Sequence, residues 1–257
     1  MKRLLDLTVT ENLRLGEHHG RLELTADEPL PEMRPGQFIM LRIDKSPHTF
    51  LRRPISIHFV DTRANTLRLL VRRTGEGTEH LFRYAVGERI NALLPLGNGF
   101  TLPEATAERI LLVGGGVGIA PLLFLADTLL KRGCRPDILM GAQTTAELLQ
   151  TDTLRRTGNL HIATDDGSYG HHGRLDTHSI LRAPFDRLYA CGPKPMLVSL
   201  VALVGGKIPF CEVSLENTMA CGLGACLCCV EKLADGHNAC VCTEGPVFNV
   251  NQLPWLN

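Results

Sequence analysis

Cys221-x4-Cys226-x2-Cys229 sets three thiols in one short stretch, and Cys228, Cys240 and Cys242 complete a group of six. This is the spacing with which thiolates hold a 2Fe–2S cluster, and it needs a fourth, more distant cysteine. Cys240 and Cys242 are both candidates. Gly222 and Gly224 let the backbone curl closely around inorganic sulfide, whereas Cys228, adjacent to Cys229, is expected to point away. A structural zinc site on Cys226, Cys229, Cys240 and Cys242 is the competing arrangement. It leaves Cys221 and the glycine loop without a role, so the spacing favours iron–sulfur. A brown protein with one acid-labile sulfide per iron would support the cluster, and a colourless protein with stoichiometric zinc would end the idea.

A second chemistry is suggested by Gly114-Gly115-Gly116-Val117-Gly118-Ile119-Ala120-Pro121, which lies between an expected strand and an expected helix. Such a turn aims backbone N–H groups and a helix N-terminus at a pyrophosphate. Glycine also suits a tight turn with no ligand, so this motif is weak alone. Cys191-Gly192-Pro193-Lys194-Pro195-Met196 follows another strand, and Asp165-Asp166-Gly167-Ser168-Tyr169-Gly170 ends a third. Ligands bind beyond the carboxyl ends of strands in open α/β sheets, so all three are expected to face one crevice. Together they point to a nicotinamide nucleotide. Beyond Gly141-Ala142-Gln143 come Thr144, Thr145 and Glu147, with Arg155 and Arg156 farther on. A 2′-phosphate needs a dedicated cation nearer the turn, so NAD is favoured over NADP.

A third candidate is Arg52-Arg53-Pro54-Ile55-Ser56-Ile57. An Arg at the start of a strand can grip a phosphate through two hydrogen bonds, and the nearby Ser can reach a flavin ring. In isolation such a pair is more often a solvated surface feature.

The elements that must position these residues fall into three regions. Residues 1–102 read as β-rich, with segments at His19–Leu24, Phe38–Ile43, Ile55–Val60, Thr66–Val71 and Ile90–Leu94. Turn signals separate them, as in an antiparallel barrel or sandwich. Residues 103–210 alternate strand and helix: Arg109–Val113, a helix from Pro121 to Arg132, then Ile138–Ala142, His161–Thr164 and Arg187–Cys191. That alternation implies a doubly wound parallel sheet. Residues 211–257 hold the cysteines and few regular patterns, so metal coordination is expected to organise them.

The 257 residues are 44% hydrophobic and 21% charged, and 27 Lys and Arg balance 27 Asp and Glu. No net field recruits nucleic acid or an anionic membrane. The opening Met1-Lys2-Arg3-Leu4-Leu5-Asp6 is unlike a signal peptide, and the apolar run Ile110–Ala126 is broken by glycines and Pro121. A soluble cytoplasmic protein is expected. Six clustered cysteines then read as metal ligands rather than disulfides.

In combination, Arg53-Pro54-Ile55-Ser56, Gly75-x-Gly77-Thr78, Leu96-Gly97-Asn98-Gly99-Phe100, Gly114–Pro121 and Cys191-Gly192-Pro193 resemble the ferredoxin–NADP reductase superfamily over essentially the whole chain. Within it, Cys242-Thr243-Glu244-Gly245-Pro246-Val247-Phe248 is similar to the electron-transfer subunits of NAD-dependent dihydroorotate dehydrogenases. The resemblance implies FAD between a barrel and a nicotinamide domain. Arg53, Pro54, Ile55 and Ser56 would then meet the flavin and its phosphates. Leu70, Val71 and Arg72 would form a neighbouring strand edge, and Gly77 and Thr78 would meet the pyrophosphate. Gly114, Gly115, Gly116, Gly118, Cys191, Gly192 and Pro193 would serve the nicotinamide nucleotide. The resemblance also selects Cys242 over Cys240 as the fourth ligand, beside Cys221, Cys226 and Cys229. It implies electron routing in pyrimidine biosynthesis with no acid–base residue in this chain. The implied partner is an FMN-containing dihydroorotate dehydrogenase catalytic subunit, two copies of each assembling together. A hydrogenase or ferredoxin-dependent transhydrogenase subunit would share these motifs, and a redox-sensing protein could carry the same cluster.

Overall fold

In the computed structural model, residues 2–105 and 107–255 are described. The outermost positions of the first and third expected regions, Met1, Leu256 and Asn257, lie outside them, as does Thr106.

The first region closes into a six-stranded antiparallel barrel. Its strands are β1 (Arg3–Arg14), β2 (His19–Thr25), β3 (Phe38–Leu41), β4 (Arg53–Asp61), β5 (Thr66–Arg72) and β6 (Arg89–Leu96), in the spatial order β1-β2-β5-β4-β3-β6. Closure comes from β1 against β6, where Leu5 faces Ala92 and Leu7 faces Ile90. Inward residues recur every second position: Leu5, Leu7 and Val9 on β1, Leu22 and Leu24 on β2, Leu67 and Leu69 on β5 are all buried. A short helix, α1 (Glu76–Leu81), fills the connection between β5 and β6. Five strands fall where the sequence puts them. The sixth, β1, goes unread there although Leu5-Asp6-Leu7-Thr8-Val9 alternates with the correct period.

The second region is a sheet ordered β10-β9-β8-β7-β11-β12, with Val247–Asn249 of the last region added at the β12 edge. It contains β7 (Ile110–Gly115), β8 (Asp137–Ala142), β9 (Asn159–Thr164), β10 (His171–His172), β11 (Arg187–Cys191) and β12 (Phe210–Ser214), all parallel. Alternate residues of one strand feed opposite cores. Ile110 and Leu112 of β7 pack with Leu122, Leu125 and Leu129 of α2 (Ile119–Lys131) and Leu154 of α3 (Thr151–Thr157). Leu111 and Val113 pack with Leu197, Leu200 and Val201 of α4 (Lys194–Val204) on the other face. The sheet is therefore doubly wound, and the order reverses between β7 and β11, the position where such sheets take ligands.

The last region is more tightly joined to the sheet than its sequence suggests. The division expected at 210/211 falls inside β12, because Phe210 already pairs with Arg187 of β11. After a hairpin of β13 (Val230–Lys232) and β14 (Asn238–Cys240), the chain returns as β15 (Val247–Asn249), antiparallel to β12. Backbone pairing, and not a cofactor alone, thus orders this segment. Among the described residues no helix is long and apolar enough to cross a membrane.

Candidate cofactor cleft and metal centre

The cysteine loop turns through Gly222 (φ +69°) and Gly224 (φ +81°), left-handed conformations that glycine adopts without strain. A Cβ on Gly222 would lie 2.9 Å from Met40 Cγ, so the loop presses directly on β3 of the barrel. The thiols meet in two pairs, Cys221 with Cys226 and Cys229 with Cys242. Backbone donors converge on them: Leu223 N–H to Cys221 Sγ (3.3 Å), Gly224 N–H to Cys242 Sγ (3.2 Å) and Cys242 N–H to Cys229 Sγ (3.4 Å). The Leu223 N–H, followed by that of Cys226, brings the Cys221 thiol down to about 6. Burial pushes the Cys242 thiol up to about 12, a penalty that ligation lifts because a coordinating thiol is deprotonated outright.

Cys240 lies close to the same thiols, but its Sγ contacts the Gly224 carbonyl at 3.8 Å, and Cys228 is exposed. No three or more His, Cys, Asp or Glu side chains among the described residues are arranged to hold a single metal ion. Two pairs of thiols suit a two-iron cluster, in which inorganic sulfide completes each iron.

Beside this loop lies a cleft of about 380 Å³ bounded by all three regions. Pro54, Ile55 and Ser56 of β4, Leu70, Val71 and Arg72 of β5, and Thr78 of α1 line its barrel side. Val117 and Ala120 line it from the nucleotide domain, and the 214–219 segment supplies the wall that leads into Cys221. Arg53 and Gly77 sit together at its edge: a Cβ on Gly77 would come 2.6 Å from Arg53 Nε. Arg53 Nη1 donates to the Leu51 carbonyl (2.9 Å). Pro54, Ile55, Leu70, Val71 and Met219 supply the apolar surface of the cleft, and Ser56, Arg72, Thr74, Thr78 and Asn217 its polar groups, a mixture suited to a flavin.

The preceding arginine behaves differently. Arg52 donates to the Asn91 side chain and to the Met40 and Asn91 carbonyls, and so braces the barrel. Glu76, an incongruous neighbour for phosphate, has its carboxylate held by Ser46 Oγ at 2.7 Å.

The two nicotinamide motifs lie side by side, since Cys191 of β11 is in register with Gly114 of β7. Gly115 ends β7, and Gly116–Gly118 form a single 3-10 turn into α2. A Cβ on Gly118 would lie 2.3 Å from the Cys191 carbonyl oxygen and close to Gly192, while one on Gly115 would meet Met196 Sδ at 2.3 Å and come near Pro193. These glycines therefore serve close packing between the motifs. Cys191 is fully enclosed, and burial followed by the Glu216 carboxylate raises its thiol well above the usual range. The sulfur is 4.0 Å from Glu216 Oε1, and Glu216, an exposed residue, lines the cleft.

Asp165–Gly170 sits at the carboxyl end of β9, two strands from β7, and like Gly114–Gly116, Gly118 and Cys191–Pro193 it is not among the residues lining the cleft. Asp166 instead accepts from Ser168, which in turn accepts from Thr145. Residues without a prior signal include Thr74 and Ser214 through Met219. Of these, only Thr74, next to Gly75-x-Gly77, could have been reached by extending a motif.

Comparison with known proteins agrees with this geometry. The family profile described as "Iron-sulfur cluster binding domain of dihydroorotate dehydrogenase B" matches residues 216–254. The dihydroorotate dehydrogenase B (NAD(+)) electron transfer subunit of Shouchella clausii is 38% identical over 252 residues, covering 96% of each chain. Its counterpart in Geobacillus kaustophilus is 39% identical, covering 96% of this chain and 97% of its own. Among solved structures, an NADH-dependent reduced ferredoxin-NADP oxidoreductase studied for flavin-based electron bifurcation aligns with TM-score 0.85 at 27% identity, over 97% and 90% of the two chains. The Amycolatopsis cytochrome P450 reductase GcoB aligns with TM-score 0.70 at 26% identity, over 81% and 67%. The barrel, the doubly wound sheet and the cysteine segment thus have relatives as a single unit, and the chain belongs to the family of dihydroorotate dehydrogenase B (NAD(+)) electron transfer subunits.

Proposed function

We propose that this oxidoreductase subunit moves electrons from an FMN-containing dihydroorotate dehydrogenase catalytic subunit to NAD, in de novo pyrimidine biosynthesis, with two copies of each subunit in the assembly. The observation that supports the reading is proximity: the cleft is lined by barrel residues, by Val117 from within the glycine turn, and by Ser214–Met219, the segment that runs into Cys221. When bound, FAD supplies the exchange between single electrons and a hydride, and the 2Fe–2S cluster supplies single-electron carriage.

The chain's own residues divide the work. Arg53, with Gly77 and Thr78, holds the flavin phosphates. Pro54, Ile55 and Ser56 meet the ring, and Leu70, Val71 and Arg72 form the adjoining edge. Gly114, Gly115, Gly116, Gly118, Cys191, Gly192 and Pro193 receive the nicotinamide nucleotide. Cys221, Cys226, Cys229 and Cys242 hold the cluster, and the N–H donors of Leu223, Gly224 and Cys242 stabilise thiolate charge there. Exposed Leu223 and Leu227 flank the exposed Cys226, an apolar rim on the face that a partner would cover.

Anaerobic copurification, with flavin, iron, sulfide and zinc analysis, tests the proposal. An FMN-containing partner and dihydroorotate-dependent NAD reduction by the complex are expected. A colourless zinc protein would overturn the cluster assignment. The likeness to the ferredoxin-NADP oxidoreductase favours one second reading, a transhydrogenase subunit. A multi-cluster partner in place of the FMN protein would establish that alternative.

A further inference from the structure

Arg53 marks one edge of the flavin cleft. On its carboxyl-terminal side, Pro54, Ile55 and Ser56 of β4 line the cleft, whereas no residue of the 42–52 loop on its amino-terminal side does. That loop carries the most exposed large apolar side chain among the described residues. Phe50 is 90% exposed, and its neighbour Leu51 is 52% exposed.

Single exposed apolar residues are ordinary on a protein surface. These two are adjacent, and their backbone is fastened on both sides. Lys45 pairs with Glu88 near the start of the loop, and the Thr49 N–H donates to the Ser46 carbonyl at 3.3 Å. At its end, Arg53 Nη1 donates to the Leu51 carbonyl at 2.9 Å. Ser46 Oγ donates to Glu76 Oε1 at 2.7 Å, so its single proton is committed and Thr49 Oγ1 is the donor in the 2.7 Å bond between the two hydroxyls. These bonds tie the loop to α1. A Cβ on Gly77 would lie 3.1 Å from Thr49 Cγ2 as well as 2.6 Å from Arg53 Nε. The loop, Arg53 and the first turn of α1 thus share one wall at the phosphate end of the cleft.

Chain geometry limits what can reach Phe50. Three residues separate it from Arg53, so the two Cα atoms are at most about 11 Å apart. The chain runs from Phe50 past Arg53 into the cleft. A ligand with its ring against Pro54, Ile55 and Ser56 and its phosphates at Arg53 therefore has Phe50 and Leu51 beyond the phosphates, on the side away from the ring. In FAD the group on that side is adenosine, with one ribose between the phosphates and the adenine. An aromatic face is the surface on which a purine stacks, and Leu51 can cover its edge.

We infer that Phe50 and Leu51 form the adenosine subsite, with Phe50 stacked on the adenine, and that they set the preference of the cleft for FAD over FMN. This rests on the proposal above that FAD occupies the cleft with its phosphates at Arg53. FMN carries the same ring and one phosphate but no adenosine, so it leaves Phe50 bare.

The test uses the full-length, cluster-containing protein, depleted of flavin and titrated separately with FAD and FMN by calorimetry. The wild type should bind FAD about tenfold or more tightly than FMN. Phe50→Ala should weaken FAD binding about tenfold and leave FMN binding unchanged. Phe50→Trp keeps a stacking face and should retain the preference. With Phe50 90% exposed, neither substitution should change the melting temperature of the flavin-free protein. Arg53→Ala reports on the cleft separately, because it should weaken both flavins. If the wild type binds FAD and Phe50→Ala binds it equally well, or if Phe50→Ala weakens FAD and FMN alike, the inference is overturned while the cleft assignment stands. Unchanged FAD binding with loss of the catalytic subunit would overturn it too, giving Phe50 to a protein interface. If the wild type binds neither flavin, the cleft assignment falls and this inference falls with it.

Discussion

Lys194, in the first turn of α4, reaches across to Glu231 of β13 and donates a 2.6 Å hydrogen bond to its Oε1. Asn217, from the wall of the flavin cleft, donates to the other carboxylate oxygen at 3.1 Å. One buried carboxylate thereby links the nicotinamide motif, the cleft and the cysteine segment. Glu231→Ala should cost about 1–3 kcal/mol, because Asn217 and the ammonium lose a shared buried acceptor. Lys194→Ala should cost only about 0.2–1 kcal/mol, since that lysine is 54% exposed. Urea denaturation of the two variants compares them; equal losses would remove Glu231 from this linking role.

Gly77 is the most direct test of the flavin cradle. A methyl at this position intrudes on Arg53 Nε, so Gly77→Val should displace the guanidinium and weaken FAD binding about tenfold or more. Arg53→Ala should release FAD while leaving the cluster's visible colour. Flavin-to-protein ratios after gel filtration check both, and full occupancy in Arg53→Ala would sink the phosphate-anchor assignment.

The fourth cluster ligand is decided by paired serine variants. Cys242→Ser should lose most of the iron and sulfide, because Cys242 pairs with Cys229 and accepts the Gly224 N–H. Cys240→Ser should retain them, since its sulfur faces the Gly224 carbonyl. Iron and acid-labile sulfide per chain provide the measurement, and the reverse pattern would transfer the role to Cys240.

His58 makes a signed contribution to acid stability. Its folded pKa of about 4 lies below the ordinary 6.5, so the folded state binds fewer protons than the unfolded state between those values. Stability from this group is fully present above 6.5 and is lost as pH falls towards 4. The shift corresponds to roughly 3 kcal/mol. Urea midpoints of the wild type and His58→Gln should converge as pH is lowered from 7 to about 5. Parallel curves would mean that His58 is not held neutral by burial.

Much of this fold is legible where one-dimensional periodicity coincides with burial. The β2 segment alternates cleanly and β5 alternates through Leu69, and the strand–glycine–helix order around Gly114–Pro121 predicts the sheet. Leu5, Leu7 and Val9 carry the same signal, with Asp6 and Thr8 as the polar half of the alternation. Other features depend on pairing between distant segments. Nothing local marks Val247–Asn249 as a partner for β12, or Asn217 through Met219 as a cleft wall. The Arg52-Arg53 pair illustrates the limit most sharply: neighbours in sequence, they point to different environments because successive residues alternate faces as the chain enters β4.

The return of the chain through β15 has a kinetic consequence. Both ends of the cysteine segment are fastened to β12, one by continuity and the other by antiparallel pairing of Val247 with Ser214 and Phe248 with Val213. A carrier on a flexible tether must search for its donor and acceptor on every turnover. Here the spacing between the thiols and the flavin cleft is built into the ladder itself, so internal transfer should be insensitive to solvent viscosity. Only the encounter with another molecule should slow as viscosity rises.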